Sequence, residues 1–143
     1  EDLRELLRSY QQICADEVES GSGMIASYMG DGVMAYFGYP RASEDAALRA
    51  ADAALAVTQR VSQLGERLKA EQGIDLATRV ALHTGRVLVG QMGSGENRDT
   101  HAITGIVPNL AARLEGLAPR NGLIVSEQTR ALIEPAFPAP HAV

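Results

Sequence analysis

The Asp31-Gly32 pair, placed between two apolar runs, is the feature that most restricts how this chain can fold. Both residue types tolerate the positive φ angles of a tight turn, so the pair predicts a β-hairpin with strands over 24–29 and 33–38. Apolar residues at helical spacing predict an amphipathic helix over 2–19, just before the hairpin. A hairpin that follows such a helix indicates a sheet with helices packed against one face.

A second, longer amphipathic helix is predicted after the hairpin. Ser43 is a favourable N-cap, and Glu44 and Asp45 follow in the first turn, where negative charge suits the helix dipole. The helix is expected to end near Gly73. Its apolar stripe comprises Leu48, Ala51, Leu55, Val61, Leu64 and Leu68.

The rest of the chain continues the alternation of strands and helices. Gly85 and Arg86 predict a turn that joins two strands, and Pro108 fits an early position of a later helix. The order of elements predicts an α+β fold, a ferredoxin-like sandwich with a mainly antiparallel sheet and helices packed on one face. One domain is expected over 1–134, followed by a Pro-rich tail over 135–143. The further elements are expected as strands at 76–84, 87–92, 99–104 and 123–125 and as helices at 108–118 and 127–134.

Composition narrows the classes of function. The formal net charge is −5, so a nucleic-acid backbone is not an expected partner. No apolar run reaches the roughly 20 residues that span a bilayer, and no signal peptide is recognised, so a cytoplasmic location is expected. Cys14, the single cysteine, lies on an apolar stripe and is expected to be a buried thiol. Lys69, the single lysine, is expected to be a solvated charge.

The turn Gly30-Asp31-Gly32 is the first candidate site. A hard divalent cation such as Mg²⁺ takes one or two carboxylates together with phosphate oxygens of a substrate. A carboxylate at the tip of a hairpin is held more rigidly than one on a free loop. The alternative, from these residues alone, is a tight turn without a ligand.

Asn109 and Arg113 form the second candidate site. They lie four residues apart and therefore share one face of the predicted helix, near its N-terminus, where backbone N–H groups favour an anion. Asparagine offers a hydrogen-bond donor, and arginine offers a permanent forked positive charge suited to phosphate. The alternative is a capping asparagine and a surface arginine.

Both candidate motifs lie within longer segments of distinctive sequence. One segment covers 28–40 (YMGDGVMAYFGYP), and another covers 79–90 (RVALHTGRVLVG). A third, over 104–115, contains TG and PNLAARLE, and a fourth covers 122–127 (GLIVSE). Taken together and in this order, they resemble the catalytic domain of class III adenylate and guanylate cyclases, over about residues 3–134.

The resemblance implies a metal-dependent enzyme that converts ATP into 3′,5′-cyclic AMP and pyrophosphate. Members of the family are head-to-tail dimers with composite active sites at the interface, and two Mg²⁺ or Mn²⁺ ions per site are expected. Asp31 would be the second of two metal aspartates, contributed by one protomer. The other protomer would contribute Asn109, which orients the ribose, and Arg113, which stabilises charge on the phosphates.

The sequence departs from the family pattern at several positions. No segment matches the strand that carries the family's first metal aspartate, so the chain is expected to be a fragment that starts after that strand. Ser27, three residues before Gly30, stands where a base-selecting lysine is expected. Ala102, three residues before Gly105, stands where Asp or Thr is common. These four residues are the expected substrate-binding positions, and the preference for ATP over GTP stays open.

Other functions are compatible with these departures. A catalytically inactive, cyclase-like dimerisation or nucleotide-binding module would keep the same fold, and a GTP-using cyclase would keep the same chemistry. A diguanylate cyclase is disfavoured because its Gly-Gly-Asp/Glu-Glu-Phe signature is absent. Fusion to a regulatory or sensor domain is common for such domains, and no such domain is identified in this sequence.

Overall fold

The protein is represented by a computed structural model, which describes residues 3–29, 32–39, 43–85, 88–92, 99–104, 116, 118 and 122–134. Three helices and six strands are described, in the order helix, two strands, helix, four strands, helix. The helices are α1 (Leu3–Ser20), α2 (Ala46–Gln72) and α3 (Glu127–Ile133). The strands are β1 (Met24–Met29), β2 (Gly32–Tyr36), β3 (Arg79–Leu82), β4 (Leu88–Met92), β5 (Asp99–Thr104) and β6 (Gly122–Val125).

Helices α1 and α2 pack against each other through the larger hydrophobic cluster of the described residues. Their facing stripes exclude water because apolar side chains recur at helical spacing on both helices. Val61 and Leu68 are almost completely buried, and Val33 of β2 packs against the same cluster. The buried members are Ile13, Cys14, Val57, Val61, Leu64 and Leu68.

The predicted hairpin is confirmed, although its second strand covers Gly32–Tyr36 and not 33–38. Strands β1 and β2 pair antiparallel from Met24↔Tyr36 to Met29↔Gly32, so Gly30 and Asp31 are the residues that connect them. The register shifts between Ile25 and Ser27, which makes Ala26 a β-bulge residue.

The predicted start of α2 at Ser43 is wrong. Asp45 occupies the N-cap position, and its side chain makes no capping hydrogen bond. The Ser43 hydroxyl instead donates to the Asp45 carboxylate, while the Ser43 carbonyl accepts from the Ala46 N–H at 3.3 Å. Ser43 therefore belongs to the turn before the helix, because its hydroxyl bonds to a neighbouring carboxylate instead of the helix backbone. The end of the helix is confirmed at Gly73, a left-handed C-cap residue.

The predicted hairpin between the strands at 76–84 and 87–92 is wrong for the part of the chain that the structure describes. Strand β3 pairs in parallel with β6, from Arg79↔Gly122 to Leu82↔Val125. Strand β4 pairs antiparallel with β5, the next strand in sequence. A local turn signal favoured a hairpin at β3, but the pairs described are β3 with β6 and β4 with β5. The predicted bounds of β5 are confirmed.

The strands β3 and β6 and the helix α3 pack against the first turns of α2. The second hydrophobic cluster has Ala51, Val125 and Ile133 as its buried members, with Leu48 and Leu82 packed around them. Ser126 is the N-cap of α3 and accepts from the Thr129 N–H at 3.3 Å. One long helix thus joins two packed regions and carries an apolar stripe for each.

The remaining sequence predictions concern Cys14, Lys69, the C-terminal part of the chain and membrane-spanning helices. Cys14 is buried, as expected, and burial raises the pKa of its thiol, an effect that a hydrogen bond with Tyr10 partly offsets. Lys69 is exposed, as expected. The predicted helix at 108–118 and the tail at 135–143 lie outside the described residues, apart from 116 and 118. Within the described residues, the structure has no helix with the length and apolarity needed to cross a membrane.

Candidate active site

Most of the predicted site residues lie outside the described residues. Gly30 and Asp31 connect the two described strands of the hairpin, whereas Gly105, Asn109 and Arg113 fall in the stretch 105–115. The roles assigned to these five residues stay predictions. Ser27 and Ala102 lie within described strands, and their positions are given below.

The described strands of the hairpin are paired up to both ends of the Gly30-Asp31 connection. Tyr28 pairs with Val33, and Met29 pairs with Gly32, so the ladder includes the residues directly before and after this connection. Gly30 and Asp31 themselves lie outside the described residues, so the placement of the Asp31 carboxylate stays a prediction.

The bulge at Ala26 decides which face of the hairpin Ser27 occupies. Residues directly opposite each other in an antiparallel pair point to the same face, and successive residues alternate. Val33 packs against the first cluster and is opposite Tyr28, so Ser27 and its partner Met34 point away from the helices. Ser27 is exposed. Without the extra residue, Ser27 would share the helix-facing side with Ile25.

Ala102 lies in the second antiparallel pair, where it is opposite Gly90. The structure assigns β1–β2 and β4–β5 to separate ladders, so it does not bring Ser27 and Ala102 together through strand pairing. Their joint role in base selection stays a prediction.

The described residues do not form a complete metal site on their own. Within 3–29, 32–39 and the later described ranges, no group of three or more His, Cys, Asp or Glu side chains could hold a metal ion. A carboxylate at a hairpin tip is nevertheless a suitable oxygen donor for Mg²⁺ or Mn²⁺, which bind few protein ligands and share the rest with substrate phosphates. That Asp31 is one ligand of a shared site stays a prediction.

The base of the hairpin is held by residues that the sequence did not reveal. The Arg49 side chain, on the first turn of α2, donates from Nη1 to the Gly21 carbonyl at 2.5 Å and to the Ser22 carbonyl at 3.4 Å. The Phe37 ring, just after β2, lies against Gly23 so closely that an added Cβ would stand 2.7 Å from it. We call Gly21–Gly23, Phe37 and Arg49 the hairpin base. Only the spacing of Asp45 and Arg49 was visible in sequence, as an i,i+4 ion pair.

A buried hydroxyl group cluster lies at the carboxyl ends of the parallel strands. Thr84 and Thr129 share a hydrogen bond at 2.7 Å, and Ser126 and Thr129 share one at 3.2 Å. The Ser126 N–H donates to the Leu82 carbonyl at 3.0 Å, which joins β6 to β3 beyond the ladder. The adjacent His83 has a buried Nδ1 without a hydrogen-bond partner among the described residues.

Comparison with known proteins places the whole chain in one family. The family model for the adenylate and guanylate cyclase catalytic domain matches residues 3–140. Adenylate cyclase 1 of Rhizobium meliloti strain 1021 is 32% identical over 117 residues, which are 82% of this chain and 17% of that protein. Adenylate cyclase 2 of the same organism is 31% identical over 140 residues, which are 94% of this chain and 37% of that protein. The chain therefore spans well under half the length of these relatives.

Solved structures support the same assignment. The adenylyl cyclase CyaB from P. aeruginosa superimposes with a TM-score of 0.81 at 27% identity, over 93% of this chain and 69% of that one. The guanylyl cyclase Cya2 superimposes with a TM-score of 0.76 at 25% identity, over 90% of this chain and 64% of that one. The expected α+β fold of class III cyclases is thereby confirmed. The chain belongs to the family of adenylate and guanylate cyclase catalytic domains.

Proposed function

We propose that the chain is the catalytic domain of an adenylate cyclase, which converts ATP into 3′,5′-cyclic AMP and pyrophosphate. The observation that carries the proposal is the match over residues 3–140, which includes every predicted site residue. Two relatives more than 30% identical are named adenylate cyclases, which favours ATP over GTP. The absence of a positive side chain at Ser27 leaves GTP as the alternative substrate.

The reaction is a displacement at the α-phosphorus. The ribose 3′-hydroxyl loses its proton, and its oxygen forms a bond to the α-phosphorus. The bond between the α-phosphorus and the oxygen that bridges to the β-phosphate breaks, and pyrophosphate leaves with that oxygen. We assign Asn109 to hold the ribose in position for attack and Arg113 to stabilise negative charge on the phosphates. Their spacing of four residues places both side chains on one face of the predicted helix.

Asp31 is assigned to hold the divalent cation. When bound, Mg²⁺ or Mn²⁺ would favour the deprotonated 3′-oxygen and offset charge on the phosphates. The pairing of Met29 with Gly32, the residues directly before and after Gly30-Asp31, supports this assignment. We expect two ions per site, with Asp31 as one of several oxygen ligands.

We propose a cytoplasmic homodimer with composite active sites. Asp31 of one protomer is then divided from Asn109 and Arg113 of the other across the interface. Two different inactive subunits can therefore complement each other in such a dimer, since a mixed dimer contains one intact site.

The test uses the natural full-length protein with ATP, then GTP, and Mg²⁺ or Mn²⁺, with cyclic product measured by mass spectrometry. Asp31→Ala and Arg113→Ala are each expected to lower turnover at least 100-fold, an order of magnitude typical of lost transition-state stabilisation. Mixing the two inactive variants is expected to restore activity. Asp52→Ala and Arg67→Ala, at exposed positions of α2, are the matched charge-removing controls and should remain active.

Each outcome distinguishes a different alternative. Cyclic GMP as the main product would assign GTP as the substrate. Two inactive variants that fail to complement while still forming dimers would contradict the composite site. A folded dimer that binds nucleotide but makes no cyclic product would favour the inactive cyclase-like module, which the residues Ser27 and Ala102 make the second candidate.

A further inference from the structure

We propose that Arg49 is a positioning residue, which orients the β1–β2 hairpin by fixing the hairpin base to α2; the connection at the far end of this hairpin contains Asp31 in sequence. The inference rests on the proposed function for its catalytic consequence, whereas the effect on the hairpin is a property of the protein alone. Arg49 is far from Asp31 in sequence, and it acts through the backbone at the opposite end of the hairpin.

Arg49 contacts the turn that leads from α1 into β1. Its Nη1 donates to the carbonyls of Gly21 and Ser22, at 2.5 Å and 3.4 Å. Its Nε donates to the Asp45 carboxylate at 3.1 Å, which holds the guanidinium over the turn. The Arg49 side chain is 23% exposed, and its bond to the Gly21 carbonyl is partly buried, whereas the bonds to Ser22 and Asp45 are exposed.

The turn is unusual enough to need such support. Ser22 has a φ of 62°, in the left-handed region that residues other than glycine rarely adopt. The turn is also closed by hydrogen bonds from the Gly21 and Gly23 N–H groups to the Val18 carbonyl, at 3.2 Å and 2.8 Å. Arg49 binds the carbonyls of Gly21 and Ser22 and so ties this turn to α2.

The open end of the hairpin, where β1 begins and β2 ends, lies at this turn. Strand β1 starts at Met24, directly after Gly23, and its partner Tyr36 directly precedes Phe37. The Phe37 ring lies on Gly23, where three of its atoms would be 2.7 to 3.0 Å from an added Cβ. The two open ends of the hairpin are thus joined at one place, and Arg49 fixes that place to the long helix.

Geometry turns a small movement at this base into a large one at the tip. The six residues of β1 separate the base from the far end of the strand at Met29, a length of about 20 Å at about 3.3 Å per residue. A tilt of about 3° at the base would then move the tip by about 1 Å. Misplacement of a reacting group by about 1 Å can lower a rate on the order of 100-fold.

Arg60 provides the matched control on the same helix. It also links α2 to α1, through Asp16 at 3.3 Å and Glu17 at 2.9 Å. Those carboxylates lie within α1 and not on the turn into β1. Loss of Arg60 weakens a contact between α1 and α2, whereas loss of Arg49 removes the hydrogen bonds that join the hairpin base to α2.

The experiment compares Arg49→Gln, Arg49→Lys and Arg60→Gln in the full-length protein. Hydrogen exchange of the amides in β1 and β2 is measured without nucleotide or metal, together with Tm. The turnover number, KM for nucleotide and the Mn²⁺ concentration for half-maximal activity are measured at a temperature where every variant is folded. Arg49→Lys retains one charged donor, so it tests rescue by the conservative change.

Arg49→Gln is expected to raise hairpin exchange and to lower turnover on the order of 10- to 100-fold, with a higher Mn²⁺ requirement and little change in KM. Arg60→Gln is expected to lower Tm without either effect, and Arg49→Lys to fall between wild type and Arg49→Gln. Equal exchange and equal turnover in Arg49→Gln and Arg60→Gln would overturn the proposal. If the wild-type protein makes no cyclic product, the proposed function fails, and hairpin exchange alone decides whether Arg49 fixes the hairpin.

Discussion

The two regions that pack against α2 are stabilised by different kinds of interaction. The hairpin side (α1, β1 and β2) combines a large apolar cluster with arginine contacts from α2 to α1 and its following turn. The parallel-pair side (β3, β6 and α3) combines a small apolar cluster with buried hydroxyl groups. The hairpin side carries the proposed metal ligand, and there the Arg60 ion pairs join α2 to α1, whereas the Arg130 ion pairs on the other side stay within α3 and its C-cap.

The difference also concerns sequence distance. On the hairpin side each strand follows its partner directly, and the turn between α1 and β1 is short. On the parallel-pair side, β4 and β5 lie between β3 and its partner β6 in the sequence. Burial on this side is completed by α2, whose residue Ala51 is 1% exposed and packs with Val125 and Ile133. The long helix therefore makes one structural unit of two regions with separate cores.

The largest expected effect comes from core truncations on the two sides. Leu68→Ala on the hairpin side and Ile133→Ala on the parallel-pair side remove side chains that are 1% and 2% exposed. Each is expected to lower the free energy of unfolding by about 2–5 kcal/mol. Urea unfolding should be followed both by far-ultraviolet circular dichroism and by tyrosine fluorescence, because all 4 tyrosines lie in α1 or in the segment 28–39.

These truncations test whether α2 joins the two sides into one cooperative unit. Coincident transitions by the two probes in both variants would confirm cooperative unfolding. An Ile133→Ala variant that loses circular dichroism while its tyrosine signal is unchanged would show that the hairpin side unfolds independently. Leu132→Ala, which truncates a side chain that is 52% exposed, is the matched control and should change little.

A smaller effect is expected from adding a methyl group at the hairpin base. In Gly23→Ala the new Cβ would meet the Phe37 ring at 2.7 Å, and such overpacking costs about 1–3 kcal/mol. Gly73→Ala at the end of α2 has open space around the Cβ but a φ of 68°, so about 1 kcal/mol is expected from the backbone alone. Urea midpoints of both variants give the comparison.

The double variant Gly23→Ala/Phe37→Leu separates packing from backbone effects. If the ring is the obstacle, the smaller leucine should recover part of the loss caused by Gly23→Ala. A double variant whose loss equals the sum of the two single losses would mean that Gly23 and Phe37 do not interact.

The smallest effect concerns acid sensitivity on each side. The pKa of Asp45 is lowered by hydrogen bonds from Ser43 and Arg49, and the pKa of Glu127 is lowered by a hydrogen bond from Arg130. Carboxyls with a lowered folded-state pKa stabilise the protein above their ordinary values of 3.8 and 4.5, and they lose that contribution as pH falls through the folded-state values. Asp45→Asn and Glu127→Gln should therefore differ from wild type at neutral pH and approach it in acid.

Tm measured from pH 7 down to about pH 3 checks this behaviour. Asp45→Asn is expected to have the larger effect, because Asp45 also holds Arg49 over the hairpin base. A stability difference that grows as the pH falls would contradict the assigned sign for either residue.

Local sequence signals predicted the parts of the fold that depend on neighbours in the chain. Asp31-Gly32 located the hairpin, and apolar periodicity located α1 and α2, because turn chemistry and helical spacing are properties of short segments. The partner of β3 was wrong because strand pairing between distant segments depends on how the whole chain packs. Ser43 was wrong as an N-cap because a carboxylate two residues later bonds its hydroxyl.

In the candidate site, too, local features could be predicted from the sequence and long-range contacts could not. The positions of Gly30 and Asp31 between two strands followed from sequence, and the structure agrees for the residues on either side. The bulge that turns Ser27 away from the helices could not be predicted, because one extra residue in a strand leaves no distinct pattern. Arg49 was missed because its acceptors, the carbonyls of Gly21 and Ser22, carry no side-chain signature.

The parallel pairing of β3 with β6 has a consequence for biosynthesis. A chain emerging from the ribosome exposes α1, the hairpin and α2 before β6 has been made, and these elements contain a complete apolar cluster. We expect this part to collapse first. Strand β3 then stays unpaired with β6 until the chain has been made as far as Val125. During that interval the edge of β3 is available to other strands, so rapid completion of the chain protects the nascent protein from aggregation.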